Sequence, residues 1–139
     1  MKLLGFNFTK INAERFPQKS NQGIKVNTNI DVPEIKEAKS DIFKKESILA
    51  VKFKYSVNYE PEYAKIELEG NIAFGADPKT AKKILNDWKD KKISEEVRTI
   101  IFNIIFKKAN LRALQLEEEL ALPFHIPMPS LKLGEEKKE

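Results

Sequence analysis

Few side chains in this sequence could perform acid–base, nucleophilic or metal chemistry. The chain of 139 residues has no cysteine and one histidine, His125, which excludes thiol nucleophiles, disulfides and cysteine-bound zinc. Carboxylates cluster at Glu117–Glu119, but consecutive helical residues spread over about 200° and share no ligand point. We therefore predict no catalytic residue, no metal and no cofactor. We interpret His125 as a partly exposed loop residue and the three glutamates as a solvated surface.

Aromatic and aliphatic side chains offer a different chemistry, the adaptable binding of apolar polypeptide. Aromatic residues lie near predicted strand ends or in loops, and an apolar, Pro-rich segment covers residues 120–131. Such side chains contact varied partners at low entropic cost. The predicted polypeptide-binding residues are Phe16, Phe43, Tyr59, Tyr63, Leu122, Phe124, Ile126 and Met128. Each of them could instead cover the core, and the Pro-rich segment could be a strap over the junction of helix and sheet.

The number and type of charged residues narrow the range of macromolecules that this protein is expected to bind. Lys and Arg number 25 against 21 Asp and Glu, a net charge of +4, and all but three of the cations are lysines. Nucleic-acid-binding proteins favour arginine, so nucleic acid is a disfavoured partner. A lysine cluster could still attract acidic partners or bind RNA or DNA weakly, although a solvated face is the simpler interpretation. It consists of Lys82, Lys83, Lys89, Lys91 and Lys92, beside Trp88, which we interpret as an anchor of its helix.

The length and the chain start predict one domain in the cytoplasm. Residues 1–133 form a single predicted domain, and residues 134–139 a charged, disordered tail. No apolar run approaches the roughly 18 residues of a membrane-spanning helix. The first eight residues turn polar too early for a signal peptide.

Apolar and polar residues alternate in four segments of the first half of the chain. These segments are Leu4–Thr9, Ile24–Val32, Val51–Tyr59 and Ala64–Phe74. A period of two places the apolar residues of each strand on one face. The pattern predicts a four-stranded antiparallel sheet with one apolar face, and a long charged loop from Pro33 to Ser47.

Two helices are predicted in the second half. Asp77 and Pro78 begin a short helix that ends at the lysines near residue 90, and Ser94 begins a long helix that ends near Leu120. The fold class is therefore α+β, with a four-stranded antiparallel sheet packed against a short and a long helix.

The long helix carries two apolar seams about 160° apart. One contains Val97, Ile101, Ile104 and Leu111. The other repeats at the spacing of a coiled coil and is the predicted oligomer interface, formed by Phe102, Phe106, Ala109, Ala113, Leu116 and Leu120. Because one sheet cannot cover both seams, we predict a homo-oligomer built through this helix.

The order of these elements resembles the SecB family of export chaperones. The opening strand from Phe6 through Pro17, with its aromatic-Thr-Lys stretch at Phe8-Thr9-Lys10, looks like that family's first strand. Ile24–Ile30 resembles its second strand, and Ile48–Phe74 resembles the hairpin that closes with a Gly and a Phe. The resemblance covers roughly residues 3 to 131 and depends on pattern and spacing.

The resemblance implies an ATP-independent, cytosolic holdase linked to protein export. Its relatives assemble as tetramers, as dimers of dimers, and bind unfolded polypeptides or preproteins in apolar grooves; some serve toxin–antitoxin systems. Here the loop at Pro17–Gly23 is short and polar, and where the family has a final helix after the Pro-rich segment we expect only Leu131-Lys-Leu and a charged tail. Acidic positions that the family offers to its SecA motor fall on Ile11 and Arg15. Three alternatives follow: a general holdase, a scaffold dedicated to one protein such as an antitoxin, and a weak nucleic-acid-binding protein.

Overall fold

A computed structural model describes residues 1–17, 23–38 and 47–127 of the chain. In these ranges, four strands are followed by two helices, which confirms the predicted α+β architecture. The elements are β1 (Lys2–Arg15), β2 (Lys25–Ala38), β3 (Ser47–Glu60), β4 (Ala64–Ala76), α1 (Pro78–Lys89) and α2 (Glu95–Glu119). The predictions for Phe43, Met128 and the tail at 134–139 lie outside the described ranges.

The four strands form one antiparallel sheet in the order β1-β4-β3-β2. Odd-numbered residues of β3 and even-numbered residues of β4 share the face that carries the core. Pairs such as Val57 opposite Ile66 and Val51 opposite Ile72 are fully buried. The other face is polar and carries ion pairs that join Lys10 to Glu67 and Glu69. The sheet therefore buries one face, as its alternating pattern predicts.

β2 is longer than predicted. It continues past Pro33 to Ala38, with a register shift between Asp31 and Glu34. Pro33 is tolerated because β2 is an edge strand, where a missing backbone N–H breaks no ladder at a bulge. The prediction that a loop begins at Pro33 is therefore wrong.

Helix α1 begins as predicted. The Asp77 carboxylate accepts a hydrogen bond from the Thr80 backbone N–H at 3.1 Å, and Pro78 occupies the first helical position. Likewise, the Ser94 hydroxyl caps α2 by accepting from the Val97 N–H at 3.3 Å. These caps satisfy backbone donors that the first turn of a helix leaves free.

The buried face of α2 differs from both predicted seams. Every fourth residue is buried, and the row consists of Ile101, Ile105, Ala109, Ala113 and Glu117, with Leu116 beside it. A step of four residues advances about 40° around the helix, so this row crosses from one predicted seam to the other. The division into a sheet-facing seam and an interface seam is therefore wrong.

The two helices pack mainly on β2, β3 and β4, so β1 lies at the edge of the covered face. α1 contacts β2 and β3, whereas α2 contacts β3 and β4. On β1, Phe6 and Phe8 are half-buried, while Leu3 and Ile11 are more than two-fifths exposed. In the part of the chain that the structure describes, neither helix is long and apolar enough to cross a membrane.

Gly70 allows the aromatic cluster of the sheet to form. A Cβ atom at this position would lie 2.3 Å from the Asn7 carbonyl oxygen and 2.8 Å from the Phe53 ring. The Phe53 ring therefore occupies the space above Gly70, where it stacks on Phe6 with the ring centroids 5.2 Å apart. A strand glycine here marks a close approach of neighbouring groups.

Candidate functional site

The Pro-rich segment folds back onto the sheet directly after α2. Ala121 adopts a left-handed conformation with φ 53°, and the Leu122 N–H donates to the Glu117 carbonyl at 2.8 Å. This turn reverses the chain, because a left-handed residue after the last turn closes a helix. Leu122 then inserts into the core and is 6% exposed.

Arg15, at the end of β1, fixes this reversal. Its guanidinium donates hydrogen bonds of 2.9 Å to both the Leu120 and the Ala121 carbonyl oxygens. It also lies over the Tyr63 ring, 5.4 Å from the centroid. A cation is favourable here because the carbonyl groups at a helix C-terminus are unpaired and carry partial negative charge.

A buried Glu117–His125 pair holds the next part of the segment. The Glu117 side chain is fully buried, and its Oε2 lies 2.5 Å from His125 Nδ1, whose side chain is 3% exposed. Glu117 Oε1 also accepts from the His125 backbone N–H at 3.0 Å. Both carboxylate oxygens are thus used by one residue, which fixes the path of residues 120–127, hereafter the strap.

The other side of the His125 ring faces β3 and α2. Nε2 lies 2.9 Å from the Tyr55 hydroxyl and 3.1 Å from Asn110 Oδ1, and Tyr55 donates to Asn110 at 2.5 Å. Both ring nitrogens therefore have hydrogen-bond partners, Nδ1 on the side of α2 and Nε2 on the side of β3 and Asn110. Because all members are partnered, the network stabilises one arrangement of strap, helix and sheet.

Burial and the nearby Glu117 carboxylate raise the pKa of Tyr55 well above its usual range. The pKa of Tyr59 is raised by burial first, and then by Glu117. The Tyr59 hydroxyl donates to the Pro123 carbonyl oxygen, which adds a second attachment of the strap to β3. Both phenols therefore stay neutral and remain hydrogen-bond donors over a wide pH range.

The structure separates the predicted polypeptide-binding residues into two groups. Tyr59, Tyr63 and Leu122 are at most 7% exposed, so their prediction as an accessible binding surface is corrected: the strap and the β3–β4 turn enclose them. Phe16 and Ile126 are half-buried, and Phe124 is 42% exposed. These three keep surface that a partner could contact, and their role stays a prediction.

The residues of the predicted oligomer interface also fall into two groups, one buried and one partly exposed. Ala109 and Ala113 are completely buried against the chain's own sheet, and Leu116 is 7% exposed, so they offer no surface to a second copy. Phe106 is 42% exposed, and Phe102 and Leu120 are half-buried. The interface stays a prediction for these three residues.

The side chains of Glu117 and His125 are both buried. The interpretation of these two residues as fully or partly solvent-exposed is therefore corrected. The sequence does contain a signal for Glu117, because it is the next step of the row Ile101, Ile105, Ala109 and Ala113. For His125 the signal is weaker: it lies between Phe124 and Ile126 in an apolar segment. A buried carboxylate needs a partner, and the chain's single histidine supplies it.

A groove opens where the bulge of β2 meets the turn between α1 and α2. It has a volume of about 540 Å³, and we call it the Trp88 groove. Its apolar lining comes from strand, turn and both helices and consists of Ile30, Val32, Pro33, Trp88, Ile93 and Phe102. These side chains are all half-buried, so they pack on the core and still present apolar surface.

The charged residues of the Trp88 groove are mostly cations. Lys91, Lys92 and Arg98 line it together with Asp31. Lys91 has a left-handed backbone, φ 57°, and its ammonium lies 4.0 Å from the centroid of the Trp88 ring. Within the described ranges, none of the three cations forms an ion pair with an acidic side chain. The groove is therefore apolar with a cationic rim.

A second hollow adjoins the Trp88 groove at Ile93, which lines both. It has a volume of about 390 Å³, and Ile84, Val97 and Ile100 contribute apolar lining. Its charges are balanced, since Lys79 and Lys83 stand with Asp87 and Glu96. The two hollows lie side by side at the connection between α1 and α2 and share Ile93, and together we call them the apolar path.

The predicted lysine cluster does not form a single patch. Lys91 and Lys92 line the Trp88 groove and Lys83 lines the second hollow, whereas Lys82 and Lys89 face a different depression beside Glu37. Trp88 packs on the core, in agreement with its interpretation as an anchor of its helix, and it also lines a groove. Among residues 1–17, 23–38 and 47–127, no group of three acidic or histidine side chains could hold a metal ion.

Comparisons with known proteins show similarity of fold. No protein-family model matches the chain, and no curated protein matches its sequence. Among solved structures, the chain is similar to the Mycobacterium tuberculosis SecB-like chaperone Rv1957, in complex with a ChAD peptide from the HigA1 antitoxin Rv1956. The similarity covers 95% of this chain and 92% of that chain, with a TM-score of 0.54 and 12% identity. The SecB-like fold that the resemblance implied is confirmed.

Proposed function

We propose that this protein is an ATP-independent holdase that binds extended segments of unfolded polypeptides. The observation that carries the proposal is the apolar path formed by the Trp88 groove and the second hollow. An extended chain advances about 3.3 Å per residue and presents side chains on alternate sides, so two adjoining hollows suit it. The SecB-like fold supports the same class of function.

Binding of this kind needs no catalytic turnover and no ATP. Apolar side chains of the client leave water when they enter the path, which contributes about 25 cal/mol per Å² buried. Aromatic and aliphatic walls accept many side-chain shapes, so affinity depends little on sequence. If several copies assemble, one client can occupy several paths, and its overall affinity rises through effective concentration.

The test is suppression of aggregation of an unfolded client at stoichiometric amounts of chaperone without nucleotide. We expect Ile93→Ser to weaken suppression, because Ile93 joins the two hollows, and Leu111→Ser to leave it unchanged. Leu111 is 61% exposed and lies outside both hollows, so it controls for loss of a surface aliphatic residue. Unchanged aggregation with the native chain would refute the proposal, and thermal unfolding establishes that both variants are folded.

A dedicated partner is the second candidate function. It is favoured by the comparison, since the chaperone of similar fold was solved with a peptide from an antitoxin. A scaffold of this kind would bind one protein at a fixed stoichiometry, whereas a general holdase would bind many unfolded chains. Mass spectrometry of cross-linked complexes distinguishes these outcomes. The link to protein export and the cytoplasmic location remain predictions.

A further inference from the structure

We propose that the Trp88 groove selects polypeptide segments in which acidic residues flank an apolar anchor. The anchor would enter between Trp88, Ile93 and Phe102, and its neighbouring carboxylates would meet Lys91, Lys92 and Arg98. The proposal deepens the proposed function and rests on it, because it states which segments of a client this groove prefers.

Charge complementarity supports this occupant. Three cations and one acidic residue, Asp31, line the groove, and none of these cations is neutralised by an ion pair in the described part of the chain. The adjoining hollow has equal numbers of acidic and basic side chains. The excess of positive charge is therefore local to the Trp88 groove and is not a general property of the path.

The turn before α2 fixes the backbone of two of these cations, Lys91 and Lys92. The Lys91 N–H donates to the Trp88 carbonyl at 2.8 Å, and the Lys92 N–H donates to the Asp87 carbonyl at 3.0 Å. A left-handed backbone is unfavourable for lysine, yet it puts the Lys91 ammonium over the indole. An ammonium over an aromatic ring has lost part of its hydration shell, so less water is displaced when a carboxylate binds it.

Trp88 is the only tryptophan of the chain, so its fluorescence reports occupancy of this groove directly. The experiment titrates the native protein with a short apolar peptide flanked by glutamate, glutamine or lysine. We expect the glutamate peptide to bind about tenfold more tightly than the lysine peptide at low salt, since several exposed charge pairs each contribute a small amount. The difference should shrink at high salt.

The variant Lys92→Gln/Arg98→Gln should remove most of this preference while leaving Lys91 on the indole. Its matched control is Lys107→Gln/Lys108→Gln, which removes the same charge from exposed positions of α2 and should keep the preference. Equal affinities of the three peptides for the native chain would overturn the proposal. So would a Trp88 response to a single-stranded oligonucleotide but to none of the peptides, or equal effects of the two double variants.

The aggregation assay separates this proposal from the proposed function. Suppression of aggregation together with equal peptide affinities would overturn the acidic preference and leave the holdase function standing. Failure of suppression together with selective binding of the glutamate peptide would overturn the holdase function and support a groove for acidic segments.

Discussion

Glu117 lies in the core and is fully buried, whereas its neighbours Glu118 and Glu119 are exposed. Its carboxylate compensates the loss of water by accepting from both the ring and the backbone N–H of His125. A buried polar pair contributes little net stability relative to apolar residues, but removing one partner leaves the other buried without compensation. The pair therefore specifies where the strap lies.

The first prediction concerns this pair. Glu117→Leu should lower the free energy of unfolding by about 3–5 kcal/mol, because His125 loses its partner. The double variant Glu117→Leu/His125→Leu should lose less than the sum of the single variants, and denaturant unfolding measures the difference. Glu118→Gln, at an exposed position, should change stability by less than about 0.5 kcal/mol. Additive losses in the double-mutant cycle would show that the two side chains do not interact.

The second prediction concerns the buried phenols. The pKa of Tyr55 and of Tyr59 lies above the ordinary value of 10.0, so the folded state favours the neutral phenol. The stabilisation that the two neutral phenols give the folded state is fully present below about pH 10 and is lost progressively as the pH rises above this value. We expect tyrosinate absorbance from these residues to develop together with alkaline unfolding. Ionisation of all three tyrosines near pH 10 in a folded protein would contradict this.

At the scale of elements, the strands were predictable because their environments are simple. Residues 48–60 of β3 and 64–74 of β4 alternate between buried and less buried side chains, and the caps Asp77 and Ser94 use short-range chemistry. The face of α2 was less predictable, because the row that packs on a twisted sheet advances around the helix. From the sequence, a strap over the junction of helix and sheet is only one of two alternatives, since its position depends on contacts between residues far apart in the chain, such as Arg15 with Ala121.

The third prediction belongs to the pairing of β1, β4 and β3. Gly70→Ala should lower the free energy of unfolding by about 1–3 kcal/mol, because the new methyl group overlaps the Asn7 carbonyl and the Phe53 ring. Gly5→Ala is the matched control, since a Cβ there meets no atom within 4 Å. Thermal and denaturant unfolding measure both variants. Equal stability of the two would show that the sheet adjusts around residue 70.

At the scale of the whole molecule, α2 still carries apolar surface that its own chain does not cover. Phe106 is 42% exposed, and Phe102 and Leu120 are half-buried. We keep the prediction of a homo-oligomer assembled through this helix, with Phe102, Phe106 and Leu120 as its contacts.

The fourth prediction tests this assembly. The native chain should have a solution mass that is a multiple of 16.0 kDa, and Phe106→Asp should reduce it, because a carboxylate in an apolar contact is strongly unfavourable. Gln115→Glu introduces the same charge at an exposed position on the opposite side of α2 and should leave the mass unchanged. Light scattering coupled to gel filtration measures all three. A native mass of 16.0 kDa would contradict the prediction.

Both edge strands of the sheet are irregular. β2 carries Pro33 and a register shift against β3, and β1 has register shifts against β4 between Leu3 and Gly5 and between Phe8 and Lys10. Proline and bulges on an edge strand hinder its pairing with a strand of another molecule. The native sheet is therefore a poor template for edge-to-edge aggregation.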